Sequence, residues 1–310
     1  MMKIAVTGAN SSVGQNLLEQ LKTKADINVV AGVRNEKAFA SLPQAKSIKP
    51  QIIAYDDLGS LQATMTDADC VIHLAGILIE TKHSNYASAN IAATAAVVAA
   101  AQKCGVKHLV FISVVGADTE SKNAYFRSKG SAENLIAYSG ISASILRTPI
   151  LLGPGAAGAN AILGMANAGQ TKVLGGVYYC MLPLDIDDLS KAIVKLIESP
   201  PSGVVTHELV GPESTPYREI IAKTAQLMGK SVEVGSVPIL LAKIGAAITS
   251  TLKGGGITPT VIDVITKDEV VETNADVAID IPLTSLEETL KKVCLLYTSD
   301  AADERSSVDL

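Results

Sequence analysis

The segment Lys3–Gly14 constrains the fold most. Lys3–Thr7 is a short apolar run suited to a buried strand. It gives way to Thr7-Gly8-Ala9-Asn10-Ser11-Ser12-Val13-Gly14, and apolar residues then recur with helical spacing over Ser12–Lys24. Gly8 permits a tight turn out of the strand, and Gly14 lets the helix lie close against a sheet. Backbone N–H groups around Asn10, Ser11, Ser12 and Val13 open the helix, where its dipole favours an anion. The turn therefore suits the pyrophosphate of a dinucleotide. Ser11 stands where a GxxGxxG loop has its middle glycine, so its side chain must point away or hydrogen-bond a phosphate. The competing reading is a plain strand-to-helix turn. The rest of the chain decides between the two.

Apolar runs and helical patterns alternate for the first half. Asn28–Val33, Ile52–Tyr55, Cys70–Leu74, His108–Ser113 and Ser142–Arg147 read as strands, and Asn85–Cys104 and Tyr125–Tyr138 as helices. Strands separated by helices imply right-handed βαβ units, and strands without polar alternation imply a parallel sheet covered on both faces. The expected class is α/β, a doubly wound parallel sheet of Rossmann type with a small, mostly helical C-terminal lobe. Residues 1–150 form the dinucleotide-binding domain. Segment 183–210 returns to it, with a helix at Asp185–Ser199 and a strand at Val204–Leu209. Residues 151–182 and 211–293 build the lobe, with loops at Gly153–Gly158 and Gly175–Gly176 and mainly helix over Thr215–Val293.

Composition excludes several classes. There are 26 basic and 31 acidic residues, a net charge of −5, so no basic footprint for nucleic acid. Cys70, Cys104, Cys180 and Cys294 form no CxxC pair, which argues against a structural zinc site or a disulfide framework. His83, His108 and His207 lack metal-ligand spacing, so no metal is expected. No apolar run reaches the roughly 20 residues of a spanning helix, and no signal peptide opens the chain. A reducing, cytoplasmic setting is expected. The end, Cys294–Leu310, breaks the preceding helical pattern of Thr284–Val293. Reverse-translated in one frame it matches the transposon end and adapter of a sequencing library, so residues 294–310 read as non-native. Without that segment the net charge is −2, which makes the acidity largely a property of the tail.

Two features carry chemistry. The second strand ends Val33-Arg34, where an acid would bind the 2′-hydroxyl of NAD and an Arg accommodates the 2′-phosphate of NADP. Arg34 thus points to NADP(H), with NAD(H) second. Past the third strand, Asp57 is placed to cap the adenine amino group; Asp56 or a merely solvated turn are the alternatives. Tyr125-Phe126-Arg127-Ser128-Lys129 puts Tyr125 and Lys129 on one helix face. A tyrosine hydroxyl titrates near 10, and a neighbouring ammonium stabilises its phenolate. Lys129 can also hold the nicotinamide ribose, while Tyr125 donates a proton to a carbonyl as hydride arrives, or accepts one in reverse.

With these pieces the chain resembles the short-chain dehydrogenase/reductase superfamily, most closely its atypical branch, similar to the NADPH-binding accessory subunit of respiratory complex I. The likeness runs over most of residues 2–293. It rests on the TGANSSVG loop, Val71-Ile72-His73-Leu74-Ala75-Gly76-Ile77-Leu78, Asn90, Val110–Ser113 and Gly116-Ala117-Asp118. Tyr125–Lys129 with Glu133, Arg147-Thr148-Pro149, Pro183–Asp188, Val210–Glu213 and the stretch from Ile257 to Leu286 complete it. The resemblance implies that Leu74, Ala75 and Gly76 line the cofactor on its adenosine side and that Pro149 lies beside the nicotinamide. The branch departs from active extended reductases after the fifth strand. Val114 stands where a carbonyl-orienting hydroxyl would be, so either Ser113 substitutes or the site lacks its third member.

Three functions stay in view: an NADP(H)-dependent oxidoreductase acting on a small carbonyl or alcohol, a non-catalytic NADPH-binding structural, assembly or redox-sensing protein, and a sugar-nucleotide epimerase or dehydratase. A small-molecule substrate is the expected partner; association with a membrane or a respiratory complex is not expected from the sequence. His73 reads as a core histidine rather than a catalytic one. Ser236–Leu252 is strongly apolar and reads as a packed helix of the C-terminal lobe, with a helix lying on a membrane surface as the alternative.

Overall fold

The computed structural model describes residues 1–175, 179–253 and 255–295. Its centre is a parallel sheet of β1 (Met2–Thr7), β2 (Ile27–Val33), β3 (Ile48–Ile52), β4 (Cys70–His73), β5 (His108–Val114), β6 (Ser142–Thr148) and a last strand, Val204–Glu208. The spatial order is Val204–Glu208, β6, β5, β4, β1, β2, β3. It reverses direction between β1 and β4, and ligands of open α/β sheets bind outside the strand ends at such a point.

Side-chain alternation along β1 builds both faces. Ile4 and Val6 join Leu17, Leu18 and Leu21 of α1 (Ser12–Leu21) in one cluster, together with Leu189, Ile193 and Ile197. Ala5 belongs to the opposite cluster, with Leu61, Met65, Val97, Ala101 and Ile136. These come from α2 (Leu58–Met65), α3 (Ala93–Lys103) and α4 (Ala124–Ala137). The expected doubly wound α/β architecture is present, and the C-terminal region is largely helical: α5 (Ala157–Asn167), α6 (Ile186–Glu198), α7 (Tyr217–Leu227), α8 (Ile239–Lys253) and α9 (Pro259–Ile265).

Several local expectations change. The third strand is Ile48–Ile52 instead of Ile52–Tyr55. It contains Pro50, which is tolerated because β3 is an edge strand and pairs only with β2. The helix of Asn85–Cys104 begins with a wide π turn over Ala87–Ala92 before α3. The loop expected at Gly153–Gly158 gives way to α5 at Ala157. Within the helical stretch a strand, Glu233–Val237, pairs in parallel with Gln170–Leu174. The packed-helix reading of Ser236–Leu252 holds for one face of α8. Ala246 is buried, whereas Leu240, Leu241, Ile244 and Ile248 are 71%, 62%, 52% and 59% exposed. No helix among the described residues is long and apolar enough to cross a membrane. Residues 286–295 are helical. Cys294 is buried in one cluster with Leu290 and Val293, while Gly176 and the tail residues 296–310 lie outside the described residues.

A buried acid ties this last helix to the sheet layer. Asp185, fully buried, caps α6 by accepting from the Asp187 amide at 2.8 Å. It also accepts from Thr289 Oγ1 at 2.9 Å and from Lys292 Nζ at 2.6 and 2.7 Å. Lys292 reaches Asp187 as well, and Asp187 accepts from Asn16 of α1. Removing one member of a buried ion pair leaves its partner uncompensated. Here Lys292 keeps Asp187, so the main loss in Asp185→Ala is the acceptor of Thr289 and of the α6 cap, expected to cost about 1–3 kcal/mol, measured by urea unfolding.

Candidate functional site

The phosphate loop is shaped by three contacts. Gly8 adopts φ +76, and a Cβ there would sit 3.0 Å from the amide nitrogen of Ala75. A Cβ on Gly14 would lie 2.4 Å from the carbonyl oxygen of Ala9. Ser11 is the N-cap of α1, its Oγ accepting from the Gly14 amide at 3.0 Å. The hydroxyl that replaces the middle glycine is thus used to hold the helix start. The amides of Ser12 and Val13 have no acceptor among the described residues, and they open the helix. The cradle fits a pyrophosphate.

The loop borders a cleft of ≈ 320 Å³ that includes Asn10, Ser11, Arg34, Tyr55, Ala75 and Gly76. A second cleft of ≈ 230 Å³ holds Ser113, Val114, Tyr125, Lys129 and Pro149, and the two share Leu74, Ala75, Gly76 and Ile77. Residues expected at the phosphates, the adenosine and the nicotinamide therefore follow one another along the C-terminal edge of the sheet.

Asp57 is not part of it. It caps α2, accepting from the Gly59 amide at 2.9 Å, and lines neither cleft; Asp56 is likewise exposed and outside. An Asp just before a helix serves the unpaired amides of its first turn. Tyr55 takes the place along the cleft wall. Its signal was hidden by the misplaced third strand, because Tyr55 lies beyond the strand's true end at Ile52. Burial pushes its hydroxyl up to about 12, although Thr7 bonds it and Arg34 opposes the shift. Below lies His73, fully buried between Thr7 Oγ1 at 2.7 Å and Thr94 Oγ1 at 3.1 Å. Burial, with Lys129 second, lowers it to about 3, so it is a neutral core histidine.

Tyr125 and Lys129 share the second cleft. Lys129 Nζ donates to the Ile112 carbonyl at 2.7 Å and stands 4.1 Å from the centroid of the Phe111 ring. Burial lowers it to about 7, opposed by the charge of Glu133. Tyr125 is raised by burial and then by Tyr86, whose ring centroid is 5.8 Å away. The lowering of Tyr125 expected from its spacing to Lys129 is not what this arrangement produces. The ammonium is directed at a carbonyl and an aromatic face. Ser113 is engaged elsewhere: its Oγ donates to Glu133 Oε1 at 2.5 Å, and Glu133 holds Arg147 through two bonds of 3.0 and 2.7 Å. The one hydroxyl proton of Ser113 is thereby spent, and Val114 presents an apolar wall.

With this geometry in place the comparisons become informative. A family model described as NAD(P)H-binding matches residues 8–173. The chain belongs to the NAD(P)H-binding family. It has the Rossmann-type sheet expected of that family. It is 26% identical over 256 residues to an Arabidopsis thaliana protein named NADH dehydrogenase [ubiquinone] 1 alpha subcomplex subunit 9, mitochondrial. That match takes in 78% of this chain and spans 62% of the relative's length. It is 25% identical over 151 residues to an uncharacterized sugar epimerase of Bacillus subtilis, covering 47% of this chain and 71% of the relative. Among solved structures, the triphenylmethane reductase of Citrobacter sp., complexed with NADP(H), superposes with TM-score 0.74. The identity is 22%, with 94% of this chain and 99% of that chain covered, so this likeness speaks to the fold.

The buried ammonium has a pH signature. Lys129 titrates near 7 in the fold against 10.5 in its unperturbed state. Between these values the unfolded chain holds the extra proton, so the contribution of Lys129 to stability rises with pH there. Below 7 the full cost of burying the ammonium is present. Lys129→Met in nucleotide-free protein is therefore expected to raise Tm most below pH 7, with the gain shrinking toward pH 10. Thermal melts across pH check this, and a gain constant with pH contradicts it.

Proposed function

We propose that the chain binds NADP(H) and transfers hydride between it and a small carbonyl or alcohol substrate. The observation that carries this reading is the presence of Tyr125 and Lys129 in a cleft continuous with the phosphate loop, along the residues Leu74–Ile77 common to both clefts. The cofactor, when bound, supplies or takes the hydride. Ser12 and Val13 amides and the helix dipole hold its pyrophosphate. Arg34, exposed on the wall of the adenosine cleft, meets the 2′-phosphate. Lys129 gives up its contacts with carbonyl and ring, in whole or in part, to hold ribose hydroxyls. Tyr125 passes its hydroxyl proton to the carbonyl oxygen of the substrate in reduction and takes it back in oxidation. Ala75, Gly76 and Pro149 shape the walls against which the two rings of the cofactor lie.

A second reading is favoured by one specific observation. Ser113 is committed to Glu133 and Val114 is apolar, so neither residue at the end of β5 offers a hydroxyl to a carbonyl. On that ground the chain would hold NADPH as a structural, assembly or redox-sensing element without turning it over.

The deciding experiment is to identify the nucleotide in the purified protein and to follow NADPH oxidation over a panel of carbonyls. Oxidation reduced roughly 100-fold or more by Tyr125→Phe supports the oxidoreductase. Tight NADPH binding with no turnover supports the second reading, and NAD with a nucleotide sugar bound would replace both with an epimerase. Arg34→Ala is expected to weaken NADPH roughly tenfold or more while leaving NADH nearly unchanged, as measured by titration of nicotinamide fluorescence. Equal losses for both remove Arg34 from its assigned role.

A further inference from the structure

A third cavity, of ≈ 330 Å³, shares a wall residue with the Tyr125 cleft and none with the phosphate-loop cleft. The shared wall residue is Val114. Val115, Phe126, Val264 and Val270 make the remaining walls largely apolar. The polar groups at its rim are unequal. Glu269 accepts from the amides of Ile150 and Leu182 at 3.0 and 2.7 Å, and Asp268 accepts from the Cys180 amide at 2.7 Å. Glu208 lies 3.5 Å from a guanidinium nitrogen of Arg147. Each carboxylate is engaged by the protein itself. Lys267 is different, because it has no carboxylate partner among the described residues, and its ammonium stands 4.6 Å from the centroid of the Phe126 ring. Gly116 keeps space for it, since a Cβ there would come within 2.8 Å of Lys267 Nζ.

We propose that this cavity receives the body of the substrate and that Lys267 binds an anionic group on it. The substrate class is then a carbonyl compound, or the corresponding alcohol, with an apolar body and a carboxylate. The inference rests on the reading of the Tyr125 cleft as the place of hydride transfer. The apolar walls favour burial of a hydrocarbon body. The exposed Lys267 ammonium, seated on an aromatic face, keeps its donors free on the other side, where a carboxylate can form a charge-assisted bond with it. The spacing limits the class further. Tyr125 and Phe126 are neighbours in sequence with ring centroids 5.8 Å apart, and Lys267 Nζ stands 4.6 Å from the Phe126 centroid. A molecule with its carbonyl at Tyr125 and its carboxylate at Lys267 must pass along the Phe126 ring. Tyr125 and Lys267 line different cavities, so several bonds separate the two groups, which favours acids with a remote carbonyl over acids whose carbonyl adjoins the carboxylate.

The test uses the full chain saturated with NADP⁺ and titrated calorimetrically with benzoylpropionate and, separately, its methyl ester. The acid is expected to bind roughly tenfold or more tightly than the ester. Lys267→Gln is expected to erase that preference, and Lys267→Arg to keep most of it. An unchanged NADPH affinity in Lys267→Gln shows that the fold and the cofactor clefts are intact. Equal binding of acid and ester, binding of neither, or a preference that survives in Lys267→Gln overturns the assignment. Turnover is read separately from NADPH absorbance. Lys267-dependent binding without turnover supports the cavity assignment while removing the oxidoreductase reading, so the two fail distinguishably.

Discussion

The site depends on the close approach of two strand ends at the reversal of strand order. The Leu74 amide donates to the Thr7 carbonyl at 3.0 Å, and the missing side chain of Gly8 lets the loop after β1 lie on the backbone of Ala75. Beneath that contact Thr7 and His73 are joined by a buried hydrogen bond. From here one run of bonds reaches the other end of the cleft. Asn90 accepts from the Ile77 amide at 2.8 Å and donates to the Ile77 carbonyl and to Ser128 Oγ. Ser128 in turn donates to the carbonyl of Tyr125. The phosphate loop and the Tyr–Lys helix are thus held in register by backbone and short polar side chains, all buried or half-buried. The π turn at Ala87–Ala92 is the local irregularity that carries Asn90 into this position.

The same buried setting explains the state of the charged groups. Lys129 is surrounded by a carbonyl, an aromatic face and an acid, Glu133, that is already bonded to Arg147 and Ser113. Its ammonium keeps much of the cost of burial, and only groups entering the cleft can offset it. Ligand hydroxyls do so without bringing in an opposing charge. A site that leaves its cation under-solvated in this way favours occupation by a molecule with hydroxyls at that point. Binding of such a molecule is thereby coupled to the protonation of Lys129.

Much of this was legible in the residues. The TGANSSVG turn and the Val- and Ile-rich strands each follow a local rule that the fold obeys, so the class could be anticipated, and the Tyr125–Lys129 spacing puts both residues on one cleft. What escaped notice depended on partners distant in sequence. β3 carries Pro50 and polar residues because it is an edge, and its displacement hid Tyr55. Asp57 reads equally well as a ligand contact and as a helix cap until α2 is seen to begin at Leu58. The apolar content of α8 indicates a packed helix, yet it cannot show that Leu240, Leu241, Ile244 and Ile248 remain outside.

The fate of Ser113 follows from strand alternation. Phe111 and Ser113 project to the side of β5 that α4 covers, where Phe111 lies under Lys129 and Ser113 meets Glu133. Val114 projects the other way, and it is the residue that borders both the Tyr125 cleft and the Lys267 cavity. A hydroxyl free to orient a carbonyl would therefore have to stand at 114, because Ser113 lines the same cleft but is bonded to Glu133. With valine there, orientation of a substrate must come from its distal parts instead: the shape of the apolar walls and a charge held away from the reacting carbonyl. The physical consequence of losing the third hydroxyl is that positioning shifts from the carbonyl oxygen to the far end of the molecule, where Lys267 stands.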